Sequence, residues 1–348
     1  MAFSFPFCWR PRKVYPSLEA LPPAVGWLEK KDVTRAVTGG AVTPAPLIVA
    51  ELARGRIIGD LRLVATRENA VIGGLQTIFG CADPGSHYAL HRRRFRLPRR
   101  WRGTALLLGA ANSDNYYHWL FESLPRWKML QAAGYHDYDF ILLHSQPRSF
   151  QDETLDWLGV PAAKRLRCSK NFVHDFDRLV VPAMPFPPEE VQSWVCAWLR
   201  SLAPASAGGP ERVFFTRRGF SNSRQLLNEA ELAAALAKRG FVSIEPGSLS
   251  VAEQVRLLSA VRYVVAAHGA ALSNLVFAPP GARLLEVFHP RHKNRCYFNL
   301  AAVCGHHYAS LDGQALPTAS PKELAYTVNV AAVLQVLDRD FGLAQEQA

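Results

Sequence analysis

The sequence is poor in the features that mark disulfide-stapled, zinc-bound or membrane-spanning chains. Its six cysteines (Cys8, Cys81, Cys168, Cys196, Cys296 and Cys304) include no CxxC pair. Even the nearest two, Cys296 and Cys304, with His306 and His307 beyond them, fit no common zinc spacing. Scattered thiols suit a reducing compartment. The longest uncharged stretch, 263–282, contains His268, Asn274, two prolines and two glycines, so it reads as strand, loop and helix rather than a bilayer span. The opening MAFSFPFCWRPRK places its charge after a short apolar run broken by Pro6, the reverse of a secretory signal. A cytoplasmic chain without a membrane-spanning anchor is therefore expected. Phosphate loops of the GxxxxGK[ST] type are missing, as are a GxGxxG after a strand, a GxSxG elbow and an Asp-rich DxD element.

Lysine is also scarce. Only nine of the 40 basic residues are lysine; the other 31 are arginine. Against 29 acids they leave a formal charge of +11. Arginine suits forked contacts with phosphate or carboxylate, so the expected partner is an anion. With 49% hydrophobic and 20% charged residues in a length of 348, the chain can bury a core and form two domains of ordinary size.

The arginines are densest in HRRRFRLPRRWR, residues 91–102, which holds seven and no acid. Two readings stand: a solvated loop or edge strand, or an electrostatic footprint, Arg92–Arg102, for peripheral contact with an anionic membrane. Residues 1–95 are irregular and β-rich. After them strand and helix patterns alternate: 104–110, 140–144 and 178–182 read as strands, with a helix from Asn115 to about Ala132. APASAGGP, 203–210, reads as the linker. Beyond it, 212–216, 241–244, 263–267 and 282–288 are apolar strands separated by helices. Asn228 with Glu231, and Ser250 with Glu253, have capping-box spacing. The pattern predicts an α/β protein of two Rossmann-like, doubly wound domains facing a cleft. The domains are residues 1–203 (with 104–202 its β/α part) and 211–320, with a C-terminal helix in 321–348 packing back on the first.

Ligands of open parallel sheets bind beyond the carboxyl ends of the strands. Arg217 and Arg224 follow the strand at 212–216. His268-Gly269-Ala270-Ala271 follows 263–267, and Glu286 lies near the end of the last strand. Together they read as a nucleotide-diphosphate site: small residues admit a phosphate to backbone amides, arginines fork onto it, and Glu286 takes two ribose hydroxyls. In NYYHWLFESLPRW, at 100° per residue, Asn115, His118, Glu122 and Arg126 share an arc of about 80°. That polar stripe is either a solvent face or an active-site face on which His118 and Glu122 form a poised base. Pro125 bends or divides the helix, which bears most on Arg126.

Four segments, NYYHWLFESLPRW, FFTRRGFSNSRQLLNEAEL, GFVSIEPGSLSVAEQV and VVAAHGAALSNLVFAPPGARLLEVFHP, together resemble glycosyltransferase family 61, and in particular its bacterial capsular-polysaccharide members. The resemblance covers about residues 100–310. It implies a GT-B fold and inverting, metal-independent transfer from a nucleotide sugar, without a further cofactor. It makes Arg217, Arg224, Asn228, His268, Gly269, Ala270, Asn274 and Glu286 donor-binding candidates. Glu122 and His118 become the catalytic candidates, with Asn115 and Arg126 on the acceptor side. The expected donor is a UDP-sugar and the expected acceptor a glycan or lipid-linked glycan. The rival functions are a basic nucleic-acid-binding protein, although no nucleic-acid-reading module accompanies the arginines, and a catalytically silent nucleotide-sugar binder.

Overall fold

The computed structural model describes residues 7–8, 11–15, 28–41, 43, 45–61, 63–73, 75, 90, 94–184, 189–217, 224–316 and 324–343. Arg92, Arg93 and Arg218 lie outside the described residues. The chain divides into two compact units, Met1–Pro188 and Glu189–Ala348.

In the first unit the strands are β1 (Phe7–Cys8), β2 (Lys13–Tyr15), β3 (Leu28–Asp32), β4 (Ile48–Ala53), β5 (Arg56–Ile58), β6 (Leu63–Ala65), β7 (Ala70–Ile72), β8 (Arg94–Leu107), β9 (Phe140–His144), β10 (Arg165–Cys168) and β11 (Phe172–Pro182). They form one sheet of order β10-β9-β8-β11-β5-β6-β7-β2, to which β4 adds at β11, β3 at β4 and β1 at β8. The stretch β10-β9-β8-β11 is parallel, and β11, β5, β6 and β7 then run antiparallel. The described strands of residues 1–95 thus extend the β/α sheet instead of standing apart. Leu52, Ile57, Leu107, Leu142, Phe176 and Leu179 share its core.

The arginine-rich segment forms the first half of β8, so the expectation of a loop or edge strand is corrected. Its pairing with β11 slips twice, and each slip leaves an extra residue on β8, between Arg96 and Arg99 and between Trp101 and Thr104. Pro98, which has no N–H for the ladder, falls in the first slip, and Gly103, at φ +102°, in the second. A Cβ on Gly103 would lie 2.0 Å from Asp139 Oδ2, the atom that accepts from Thr104 N–H. Arg99 lies over the Phe172 ring, with 3.8 Å to the centroid, and Arg100 pairs with Asp177 at 3.1 Å.

Behind this strand His174 is stacked between Trp101 and Phe176, and its Nδ1 accepts from Trp101 Nε1–H at 3.2 Å. Burial, with help from Arg99, pushes its pKa from 6.5 down to about 4. The unfolded chain takes up this proton first, so stability is intact above about pH 6.5 and falls as pH drops toward 4. The loss attributable to His174 is about 3 kcal/mol. Thermal melts between pH 7.5 and 4.5 should show a steeper fall for the parent than for His174→Gln; equal slopes would remove His174 as the cause.

The second unit holds β12 (Arg212–Phe215), β13 (Arg224–Leu226), β14 (Val242–Ile244), β15 (Tyr263–Ala267), β16 (Arg283–Phe288), β17 (His307–Asp312), β18 (Gln314–Ala315) and β19 (Leu324–Thr327). Five of these make an all-parallel sheet of order β14-β12-β15-β16-β17. The chain moves one way from β12 to β14 and then returns past β12 to β15. The topological switch point therefore lies between the carboxyl ends of β12 and β15. β13, β19 and β18 form a small separate sheet.

Three boundaries differ from the sequence reading. The helix Ser193–Leu202 belongs to the second unit, where Arg200 Nε–H donates to the Val276 carbonyl at 2.7 Å. APASAGGP is accordingly a loop within that unit, its Gly208 carbonyl accepting from Ser259 Oγ–H at 3.2 Å. The helix Val330–Phe341 packs on its own unit: Val333, Leu337 and Phe341 share a core with Leu232, Leu236 and Phe241. A two-fold contact between Arg239 and Asp338 reinforces it. The capping box at Ser250 and Glu253 is complete, whereas Asn228 makes no such cap. No helix among the described residues is long and apolar enough to cross a membrane.

Candidate active site

The switch point gathers the second unit's polar groups. β12 ends at Phe215, and Arg217, two residues on, donates from Nη1 to the His268 carbonyl, the first residue after β15. Arg217 N–H donates in turn to Glu229 Oε2 at 3.0 Å. Gly269 makes this approach feasible, because a Cβ there would stand 2.8 Å from Arg217 Nη1. Burial and the nearby Arg224 guanidinium lower the pKa of Arg217. The same two arginines act on Tyr326, which burial nonetheless pushes up to about 12. His292 is driven down to about 4 by burial and then by Arg224, His268, His289 and Arg217. These mutual influences place Arg217, Arg224, His268 and His292 in one neighbourhood. An anion would relieve their repulsion.

Glu286 does something other than was expected of it. It is fully buried, its Oε1 lies 2.6 Å from His268 Nδ1, and its Oε2 accepts from the Tyr308 hydroxyl at 2.7 Å. Both oxygens are occupied by protein, so the assignment to ribose hydroxyls is corrected. Asn228 is likewise engaged: its amide bridges the Val328 backbone, donating to the carbonyl at 2.8 Å and accepting from the N–H at 3.0 Å. Asn274 is buried and donates to Gln254 Oε1 and the Ala271 carbonyl. Both residues fasten elements of the fold; neither presents its amide to a ligand. Ala270, partly exposed, opens a 3₁₀-helix, Ala270–Phe277, where an α-helix was expected. Anion affinity in this unit therefore rests on the arginines more than on a helix dipole.

In the first unit, β8 leads to Asn115, which is exposed and caps the turn Tyr116–His118 by accepting from Tyr117 N–H at 2.9 Å. The chain then widens into a π turn, Trp119–Ser123, closed by Leu124 N–H donating to the Trp119 carbonyl at 2.8 Å. Such turns put one extra residue into a helix and recur at functional sites. A second helix, Arg126–Ala132, starts after Pro125. His118 Nδ1 and Glu122 Oε1 lie 2.8 Å apart, with side-chain exposures of 17% and 4%. The stripe is therefore not a solvent face, and of its pair the imidazole is the more accessible.

Arg126 leaves the stripe. The π turn breaks the 100° step on which the arc was drawn. Its guanidinium is fully buried, donating to the Gly109 carbonyl at 3.1 Å and to Met184 Sδ at 2.5 Å. Burial lowers its pKa to about 10, against the pull of Glu122. It supports the floor beneath Glu122, and the acceptor-side role expected of it is corrected.

Sequence reasoning passed over His292, Tyr308 and Tyr326. The first had a signal: HPRHKNR, a basic run directly after β16. Tyr308 lies on β17, whose half-exposed pattern did not read as a strand.

Residues 116–285 match the model of the family Glycosyltransferase 61. The span takes in His118, Glu122, Arg217, Arg224 and His268, and the chain belongs to that family through it. Among curated proteins, the chain is similar to protein O-linked-mannose beta-1,4-N-acetylglucosaminyltransferase 2 of three vertebrates. Identity is 37% over 84 residues for Tetraodon nigroviridis, covering 23% of this chain and 14% of that protein. It is 36% over 107 residues for Bos taurus and 32% over 105 for Canis lupus familiaris, each covering 28% of this chain and 18% of the relative. The matched stretches are thus a small part of those proteins' own length.

Proposed function

We propose that this chain is a glycosyltransferase that moves a sugar from a nucleotide-sugar donor to a hydroxyl of a glycan acceptor, with inversion and without a metal ion. The observation that carries the donor half is the meeting of Arg217 and His268 at the switch point of a parallel sheet, with Arg224 and His292 beside them. Cations in that position suit a diphosphate that must leave with its charge balanced. For the acceptor half, Glu122 orients His118, and His118 takes the hydroxyl proton as the oxygen attacks the anomeric carbon. We assign the two units to the acceptor and donor halves of a GT-B enzyme on these grounds. The relatives' names specify transfer of N-acetylglucosamine, which makes UDP-N-acetylglucosamine the first donor to test.

A thermal-shift screen across UDP-, GDP-, CMP- and dTDP-sugars should single out one nucleotide. At a ligand concentration 100-fold above Kd the stabilisation is about 2.7 kcal/mol. EDTA should leave both that shift and sugar transfer unchanged. The reading fails if no nucleotide sugar raises the melting temperature. Strict dependence on manganese or magnesium would overturn its metal-free part, and a shift without transfer to any acceptor would leave only a binding protein.

A further inference from the structure

Resting on the glycosyltransferase reading, we infer that Glu286 and Tyr308 are positioning residues that aim His268 at the leaving diphosphate. The strand register explains how they meet. Glu286 on β16 stands opposite Ala266 on β15 and Ser310 on β17. His268 and Tyr308 are each two residues from those partners, so they are diagonal neighbours of Glu286 across the sheet. The result is a chain of groups, Tyr308 hydroxyl to Glu286 to His268 Nδ1, with links of 2.7 and 2.6 Å.

A carboxylate that accepts at Nδ1 fixes the proton there and leaves Nε2 as the working atom of the ring. Rings on several sides hold the imidazole's orientation: Phe288 is stacked at 5.2 Å, and Tyr297 and His292 lie at 5.4 Å. Nε2 makes no hydrogen bond to the described residues, and the side chain keeps a tenth of its surface open. The charged and titratable groups around it are Glu286 from β16, His292 from the loop after β16, Tyr297 from the helix Cys296–Cys304 and Arg217 at its own carbonyl. Only Glu286 is an acid, and its oxygens are taken, so the position facing Nε2 lacks a negative charge of the protein's own.

A diphosphate supplies that charge. As the donor binds, Nε2 takes up a proton from solvent and donates a hydrogen bond to a diphosphate oxygen. In the transfer step the bond from the anomeric carbon to the diphosphate breaks, and its electron pair goes to that diphosphate. The acceptor oxygen forms the new bond, and its proton goes to His118. The Nε2 proton remains on His268 until the product leaves.

The test is a two-bond proton–nitrogen correlation spectrum of the full chain labelled with ¹⁵N-histidine, titrated with UDP and separately with inorganic pyrophosphate; spectra of His268→Gln and His292→Gln assign the signals. The ligand-free protein should show His268 protonated at Nδ1, and saturation with either probe should protonate Nε2 as well. Glu286→Gln should still bind the probes, about tenfold more weakly, with Nε2 unprotonated at the same pH. Tyr308→Phe should fall between the two, and it carries the test if the glutamine variant does not fold. A wild-type Nε2 that ignores both probes overturns the inference, as do variants whose Nε2 responds like the parent's. Sugar transfer with a silent Nε2 would sink this assignment alone. A responsive Nε2 in a chain that transfers no sugar would instead sink the glycosyltransferase reading and leave the anion contact standing.

Discussion

Replacing His118 with alanine lowers turnover by about 10²- to 10⁴-fold, the range for loss of a positioned general base. The nucleotide-induced rise in melting temperature stays as in the parent. The separation follows from where His118 sits. It belongs to the first unit, on the turn after β8, and the groups assigned to the donor all belong to the second. Its partner Glu122 is nearly enclosed while the imidazole is open to solvent, so proton transfer falls to His118 and orientation to Glu122. Glu122→Gln keeps a hydrogen-bond acceptor for Nδ1–H but loses the charge that stabilises an imidazolium. It should cost less than the alanine change at His118, about 10- to 100-fold. Single-turnover rates and nucleotide titrations on both variants decide the matter. If nucleotide affinity fell in step with turnover, the pair would be structural.

The second large effect is expected at Arg217. Arg217→Ala should weaken binding of the nucleotide diphosphate about 100-fold, in line with charge-assisted hydrogen bonds of roughly 1.5–3 kcal/mol each. Arg217→Lys should recover only part, because an ammonium restores the charge without the fork that spans a phosphate and the His268 carbonyl. Asn228→Ala is the contrast. Its amide is committed to the Val328 backbone, so it should lower the melting temperature and leave nucleotide affinity within about twofold. Calorimetric titration of the nucleotide identified by the thermal screen measures all three. Undiminished binding in Arg217→Ala would show that the diphosphate lies elsewhere.

Much of this architecture could be read before any coordinates. The apolar runs at 140–144, 178–182, 212–216 and 263–267 became strands, because buried parallel strands leave a continuous hydrophobic signature. The grouping of Arg217, Arg224 and His268 was legible from their places after strands. What stayed hidden had physical causes. β17 is half exposed and carries mixed polarity, so its periodicity is weak. The π turn leaves no local mark in composition, and it moved Arg126 off a face that ideal helical geometry had given it. The engagement of Glu286, Asn228 and Asn274 depends on partners between 18 and 100 positions away, and no local pattern reports such pairings. Residue type marked these positions as important; only the fold separates those that face a ligand from those that secure the scaffold.

The widened turn at Trp119–Ser123 also governs how this segment tolerates insertions and deletions. Because it is wound with one residue more than a regular helix would need, it stores slack. Losing a single residue there would let the backbone re-register as an unbroken spiral, swinging everything downstream by about 100°. Arg126 would be carried away from the Gly109 carbonyl. The ground under Glu122 would go with it, even though no chemically important side chain had been removed. Length, more than composition, is what natural drift must preserve in this stretch.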